Sequence, residues 1–444
     1  LTSFCTVLKP DKRIFFVIGL LLIGASGYAE TKLSLTEAVQ KALEHSYNVK
    51  MSRHDSLSAV SDLKSARTQR YPSLSLNAVS YYIDQLQEVS IIPGRTLELG
   101  SHENYQTDFK LTVPFYTGGK IGNQIKIQKE NLTAKSYSLE SEKMAAAYQA
   151  RKGYLNLMLT RYLVAAAKSS QDRIDIIARD VQNLFQSGLA DSVDILDAAS
   201  ATQQGLLGLT DKENLRRNAS IALAQQLGLS ALEEIAPTET APDPLPLSDN
   251  DNSGQSLSID RPELKGLDSR LRAANYLVSF NRAGYFPLLS GYAGYSYGKP
   301  NRDQFNKSWN GYFNVGLSLN WEFNLGNRTH HNINSARQSA LSLEMSRRRL
   351  EENFNLQADL AHENLKKSYQ YFVINKKELE IATHKFRLAR EKHNAGKLSV
   401  NRLLEMESEL ATVEQGYYAA IINYYLAETE YLYAIGAPKI FGGF

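Results

Sequence analysis

From Phe313 to Phe323 every second residue is apolar: Phe313, Val315, Leu317, Leu319, Trp321 and Phe323 alternate with Tyr312, Asn314, Gly316, Ser318, Asn320 and Glu322. A period of two over six steps predicts a β-strand with one apolar face. Tyr105, Thr107, Phe109, Leu111, Val113 and Phe115 repeat the pattern, and the Tyr- and Ser-rich stretches Ser73 to Tyr82 and Leu289 to Tyr297 are the natural strand partners. Strands of about ten residues are long enough to cross a bilayer when tilted.

Elsewhere the period changes to seven. Leu403, Leu410, Tyr417, Tyr424 and Tyr431 are interleaved with Met406, Val413, Ala420, Ala427 and Ala434, and Leu365, Phe372, Leu379 and Phe386 recur at the same interval. This a/d seam predicts supercoiled helices packed knobs into holes. No proline falls between 115 and 236 or between 301 and 437, and proline costs about 3 kcal/mol inside a helix, so both tracts read as very long helices.

The two halves repeat each other. Tyr71-Pro72-Ser73-Leu74 answers Phe286-Pro287-Leu288-Leu289, Phe115 to Lys120 answers Glu322 to Asn327, Ser187-Gly188-Leu189 answers Ala395-Gly396-Lys397, and Leu227-Gly228 answers Ile435-Gly436. Ordered anchors of this kind mark an internal duplication, with one eight-residue difference in the loop segment after Pro72. The expected organisation is a first repeat over 30–228, with strands in about 72–116, a long helix over about 120–186 and a returning helix over about 191–228. A Pro-rich linker over 229–258 follows. The second repeat covers 259–436, with strands in about 287–323 and helices over about 328–394 and 398–436, and 437–444 form a tail.

Composition narrows the class. Fifty basic against 47 acidic residues give a net charge of +3, too balanced for a protein that neutralises phosphate backbones, so nucleic acid is not an expected partner. Lys9, Lys12 and Arg13 precede the apolar run Ile14 to Ile23 and the small residues ending in Ala29, which is the pattern of a secretory signal over residues 1–29. The single cysteine, Cys5, falls inside that segment, leaving the expected mature chain without a thiol for a disulfide or metal. His330-His331 lacks an accompanying ligand cluster, and no nucleophile elbow or phosphate loop occurs. Neither catalysis nor a cofactor is expected.

Four strands cannot close a barrel, and an open edge in hydrocarbon leaves backbone groups unsatisfied at several kcal/mol each. Closure therefore requires further copies of the chain: two would give eight strands with a filled interior, three would give twelve and a lumen. The long helices of the same oligomer would continue the barrel as a coiled-coil tube.

The motifs Leu33-Ser34-Leu35-Thr36-Glu37-Ala38-Val39, Tyr71-Pro72-Ser73-Leu74-Ser75-Leu76, Pro114-Phe115-Tyr116-Thr117-Gly118-Gly119 and Ser187 to Ala198, in order and duplicated, resemble the TolC-type outer-membrane efflux family. The resemblance implies a mixed fold of α-helices and transmembrane β-strands. Four strands per chain would complete a trimeric twelve-stranded outer-membrane β-barrel, continuous with a long periplasmic α-helical coiled-coil barrel. It implies a homotrimer contacting outer-membrane lipid, working as a passive exit duct with a periplasmic adaptor protein and an inner-membrane transporter. A periplasmic coiled-coil protein with a structural or adhesive role and no channel is the competing reading of the same pattern.

The resemblance also marks sites. The turns holding Gly188, Leu189 and Asp191, and Gly396, Lys397 and Ser399, correspond to periplasmic tips at which adaptors dock; plain helix caps would account for the glycines equally. Asp194, Asp197, Arg402 and Glu405 correspond to the periplasmic aperture, where the family typically carries acidic residues, so Arg402 departs from the pattern. An ion pair from Arg402 to Glu405 or Asp194 would be one way to hold such an aperture shut.

Overall fold

A computed structural model describes residues 31–230, 234–246, 260–303, 305 and 307–444. The expected signal segment 1–29 and part of the linker lie outside these residues.

The chain begins with β1 (Thr31–Leu33), α1 (Leu35–His45) and α2 (Tyr47–Thr68). In α1, Leu35, Ala38, Val39 and Ala42 are buried, which is the i, i+3, i+4, i+7 stripe of one helix face. Ser34 caps it by accepting from the Glu37 amide at 3.2 Å, while a Glu37 carboxylate oxygen accepts from the Ser34 amide at 2.8 Å, a reciprocal capping box. The Ser34 amide and the Ser34 hydroxyl, which donates to the same carboxylate oxygen at 2.9 Å, together hold the Glu37 carboxyl below its ordinary range.

Next come β2 (Ser73–Tyr82), β3 (Gln87–Ile92), β4 (Arg95–Leu99) and β5 (Glu103–Tyr116), then α3 (Lys120–Gln186), α4 (Ser192–Leu227) and β6 (Ile235–Pro237). The second half holds α5 (Pro262–Arg282), β7 (Leu288–Lys299), β8 (Asn310–Asn320), α6 (Arg328–Asn394) and α7 (Val400–Ile435). The eight-residue difference between repeats falls where the first repeat carries the β3–β4 hairpin, within the segment expected to be loop. At 67 residues each, α3 and α6 extend roughly 100 Å. Both start after a residue in the left-handed region, Gly119 at φ 84° and Asn327 at φ 55°, equivalent positions in the two repeats.

The main sheet is antiparallel in the order β2-β5-β7-β8. Its register sorts the faces. Leu76, Phe109, Tyr295 and Phe313 form one row across all four strands, and Leu74, Leu111, Ala293 and Val315 form another on the same face. On the opposite face the rows are Asn77, Asp108, Ser296, Tyr312 and Ser75, Lys110, Gly294, Asn314. The tyrosines of these strands are split by this parity: Tyr82, Tyr295 and Tyr297 lie on the apolar face, Tyr81 and Tyr292 on the polar one. A second aromatic group stands at the other end of the sheet, where Phe115, Tyr116, Tyr285, Trp321 and Phe323 are all exposed and the Trp321 indole donates to the Tyr285 carbonyl at 3.3 Å.

Below the sheet the helices pack side by side. In the half nearest the sheet, α3 packs against α2 and α5, and α5 packs against α6; in the far half α4 packs on α3, α3 on α7 and α7 on α6. The lateral orders are therefore α2-α3-α5-α6 and α4-α3-α7-α6. The core seam follows the period of seven: Leu403, Met406, Leu410, Ala420, Tyr424, Ala427 and Ala434 are buried on α7, and Leu365, Phe372 and Phe386 on α6. Each large apolar side chain so buried contributes about 1.5–3 kcal/mol.

The belt between the two halves is tied by β1 and β6, which pair in parallel. The Pro-rich segment after β6 is docked rather than free. Tyr162 accepts from the Ala241 amide at 3.0 Å, and the hydroxyls of Tyr425 and Tyr424 donate to the carbonyls of Pro242 and Leu245 at 3.0 and 3.2 Å. Tyr154 is fully buried beneath the same belt, donates to the Leu33 carbonyl at 3.1 Å, and has its hydroxyl pushed up to about 12 by burial.

Candidate functional site

The turns between the long and the returning helices are built alike. At the first, Leu189 donates to the Leu184 carbonyl at 2.8 Å and Gly188 to that of Phe185 at 2.9 Å; at the second, Lys397 donates to Lys392 at 2.9 Å and Gly396 to His393 at 2.8 Å. These paired bonds are Schellman caps, closed by glycines at φ 70° and 69°. Open space surrounds the position of a Cβ at either glycine, and Leu189 is 76% exposed. The tips thus present a closed backbone turn with small or projecting side chains.

After each turn a side chain starts the returning helix. Asp191 accepts from the amides of Val193 and Asp194 at 2.8 and 2.9 Å, and Asp194 accepts back from the Asp191 amide at 3.2 Å. Two of the three aspartates singled out in the sequence are engaged in capping α4, where the helix dipole also favours them. Asp197 lies a turn further along the helix. Ser399 caps α7 by accepting from the Arg402 amide at 3.4 Å. Arg402 donates to Glu405 at 2.5 Å within its own helix, and both side chains are more than half exposed. The structure thus brings Arg402 to Glu405 rather than to Asp194.

Sequence reasoning missed the polar cluster that joins α3 to α7. Glu407 is 2% exposed; it accepts from the Ser170 hydroxyl at 2.8 Å and from Arg173 at 3.2 Å. The same guanidinium makes two further bonds to Glu414, at 3.2 and 2.9 Å. Burial pushes the Glu407 carboxyl above its ordinary range, against the opposing pull of Ser170 and Arg173. The available signal was Glu407 and Glu414 standing seven apart, each one position past the seam residues Met406 and Val413.

Among the described residues no helix is long and apolar enough to cross a membrane, and no group of three His, Cys, Asp or Glu side chains is placed to hold a metal ion. The exposed surfaces lie at the flanks instead. Strands β2 and β8 are the edges of the sheet. On α6, Ile374, Ile381 and Leu388 are exposed at intervals of seven, and on α4 Val193, Leu207 and Ile221 are exposed at intervals of fourteen. One flank of the chain is β2, α2 and α4; the other is β8 and α6.

The family described as Outer membrane efflux protein matches residues 38–229 and 254–436. Among solved structures, the fold is similar to CusC, at 16% identity over 94% of this chain and 95% of that one, with a TM-score of 0.73. It is similar to the outer-membrane channel OprN, at 17% identity over 91% and 90%, with a TM-score of 0.74. It is also similar to the Campylobacter jejuni CmeC outer membrane channel, at 16% identity over 98% and 94%, with a TM-score of 0.73. No curated protein sequence matches the chain.

Proposed function

This chain belongs to the outer membrane efflux protein family, and on that premise we propose that it forms, as a homotrimer, a passive exit duct. The duct crosses the outer membrane and extends into the periplasm, where an adaptor protein and an inner-membrane transporter supply cargo and energy. The observation that carries this reading is the shared flank. The sheet presents four strands and each level of the helical layer four helices, and both end on the same two sides of the chain. Setting β8 and α6 of one copy beside β2, α2 and α4 of the next closes both layers with one operation, and three copies give twelve strands above twelve helices. Twelve strands leave a lumen, whereas eight would fill with side chains.

Charge supports the same seam. Over residues 192–211 α4 carries three aspartates and no Lys or Arg, while over 375–394 α6 carries six Lys or Arg against three glutamates. Exposed aliphatic stripes flanked by opposite charge suit an interface between copies of one chain. The apolar sheet face then meets lipid and the polar face lines the lumen.

In this reading Gly188, Leu189, Asp191, Gly396, Lys397 and Ser399 form the adaptor-docking tips, and Asp194, Asp197, Arg402 and Glu405 lie at the periplasmic aperture. Single-particle imaging of the detergent-extracted protein tests the duct. A three-fold tube with a roughly 100 Å helical extension beyond the detergent belt is the expected result. A rod without a lumen would leave the structural coiled-coil reading in its place.

A further inference from the structure

The polar face of the sheet is not uniform. At its centre the rows Ser75, Lys110, Gly294, Asn314 and Asn77, Asp108, Ser296, Tyr312 lie next to each other, and between them is a hollow of about 280 Å³. Glycine makes the depression: a Cβ at Gly294 would stand 2.5 Å from the Asn314 side-chain oxygen, which leans over it.

The polar groups around the hollow are unevenly satisfied. The Lys110 ammonium stands over the Tyr292 ring, 5.3 Å from its centroid, and among the described residues it forms no ion pair. Asp108 is held by the Gln106 side-chain amide, at 2.9 and 3.2 Å to its two oxygens, so its carboxylate keeps acceptor capacity free. Ser296 is 5% exposed and its hydroxyl has no hydrogen-bond partner. A buried hydroxyl without a partner is uncommon in a folded protein and calls for an occupant or a rearrangement that supplies one. Lys110 and Asp108 are two positions apart on one strand, so their backbones are separated by about 6.5–7 Å along the face. A cation without a carboxylate, a carboxylate with spare lone pairs and an unpaired hydroxyl are thus arranged around one depression.

We infer that this hollow is a cargo subsite on the wall of the lumen, taking small zwitterionic solutes with the carboxylate on Lys110 and the ammonium on Asp108. The inference rests on the duct reading, which puts the polar face inward, and it adds to that reading a class of cargo. Each closed trimer would carry three such subsites. The Tyr292 ring fixes the lysine from one side without neutralising it, which leaves the ammonium able to receive an anion.

Saturation-transfer NMR on the detergent-solubilised protein tests this, with 4-aminobutyrate, butyrate and butylamine as probes in matched samples. Saturation is expected to be strongest for 4-aminobutyrate and several-fold weaker for butyrate and for butylamine. Lys110→Met should reduce the 4-aminobutyrate signal at least fivefold, Lys120→Met, outside the hollow, should leave it unchanged, and Asp108→Asn should bring 4-aminobutyrate down to the level of butyrate. Equal saturation of all three probes, or an unchanged signal in Lys110→Met, overturns the subsite. Imaging of the same preparation separates the two levels: a tube with a lumen but no selective saturation removes the subsite and keeps the duct, whereas a correctly assembled oligomer without a lumen removes the duct itself.

Discussion

Arg173 on α3 reaches Glu407 on α7 at 3.1 Å, with only 3% of the glutamate side chain exposed, and so joins the first helical pair to the second. Glu407 has its carboxyl raised above the ordinary range chiefly by burial, with Arg173 among the groups that pull it back. A raised folded value means that the stability linked to this proton is fully present below the ordinary carboxylate range and is lost as the pH rises through the folded value. Arg173→Met removes one restraint and raises that value further. The variant should therefore lose roughly 3 kcal/mol at neutral pH and much less near pH ~3, below the ordinary carboxylate range, where the carboxyl is protonated in both states. Thermal unfolding followed by helical signal at the two pH values checks this, and Arg173→Met combined with Glu407→Gln should recover most of the neutral-pH loss.

The Schellman glycines differ in what surrounds them. A Cβ at Gly436 would stand 2.6 Å from the Asp260 carbonyl oxygen, whereas at Gly396 it meets open space. Both have positive φ, so Gly396→Ala should cost about 1–2 kcal/mol from backbone strain alone, and Gly436→Ala distinctly more. Equal melting temperatures for the two variants would contradict the packing described around Gly436.

The seam between copies in the proposed trimer is sensitive to a single charge. Ile381 is 58% exposed in the isolated chain, so Ile381→Asp should leave the protomer folded while shifting the oligomer toward smaller species. Mass photometry in detergent reads the distribution, and the change should be reversed in part by pairing it with a lysine introduced on α4.

The two faces of β8 predict opposite tolerances. Leu317 is on the apolar face and Ser318 on the polar face of the same strand. In the proposed barrel Leu317→Arg places a cation in hydrocarbon at a cost of about 2–4 kcal/mol near the bilayer midplane, while Ser318→Arg faces water. Folding yield into lipid vesicles, read from heat-modifiable mobility, should fall steeply for the first and little for the second.

At the proposed aperture, Arg402 and Glu405 are exposed and pair with each other within one helix. Arg402→Asp should therefore change stability by less than about 1 kcal/mol while shifting ion selectivity toward cations, as measured by reversal potential in a planar bilayer. Unaltered selectivity in both Arg402→Asp and Glu405→Lys would remove these residues from the aperture.

Local periodicity was readable because it belongs to single elements. The alternation through Leu317 and Leu319 and the spacing of Leu403, Leu410 and Tyr424 each depend on one strand or one helix meeting one neighbour. The β3–β4 hairpin also had a signal, Pro93-Gly94 between two short β-prone runs, with Gly94 at φ 89°, but its strands lie outside the duplicated pattern that organised the rest. What periodicity does not contain is lateral order. That α5 separates α3 from α6 near the sheet while α7 does so near the tips follows from packing between residues far apart in sequence. The same limit hid the union of Ser170, Arg173 and Glu407, which come from opposite halves of the chain. At the tips, residue type alone did not distinguish an aspartate that caps a helix, as Asp191 does, from one free to face an opening.

The two longest helices pass from sheet to tip without a proline or a break. A rod of that kind has no hinge at which one end can swing independently of the other. Any widening at the tips must therefore be taken up as gentle curvature distributed along α3 and α6, of the kind long helices accept over radii of about 60–100 Å. Dilation of the far end is then a distributed deformation: a displacement of several ångströms there is shared among dozens of peptide units, each deformed by very little.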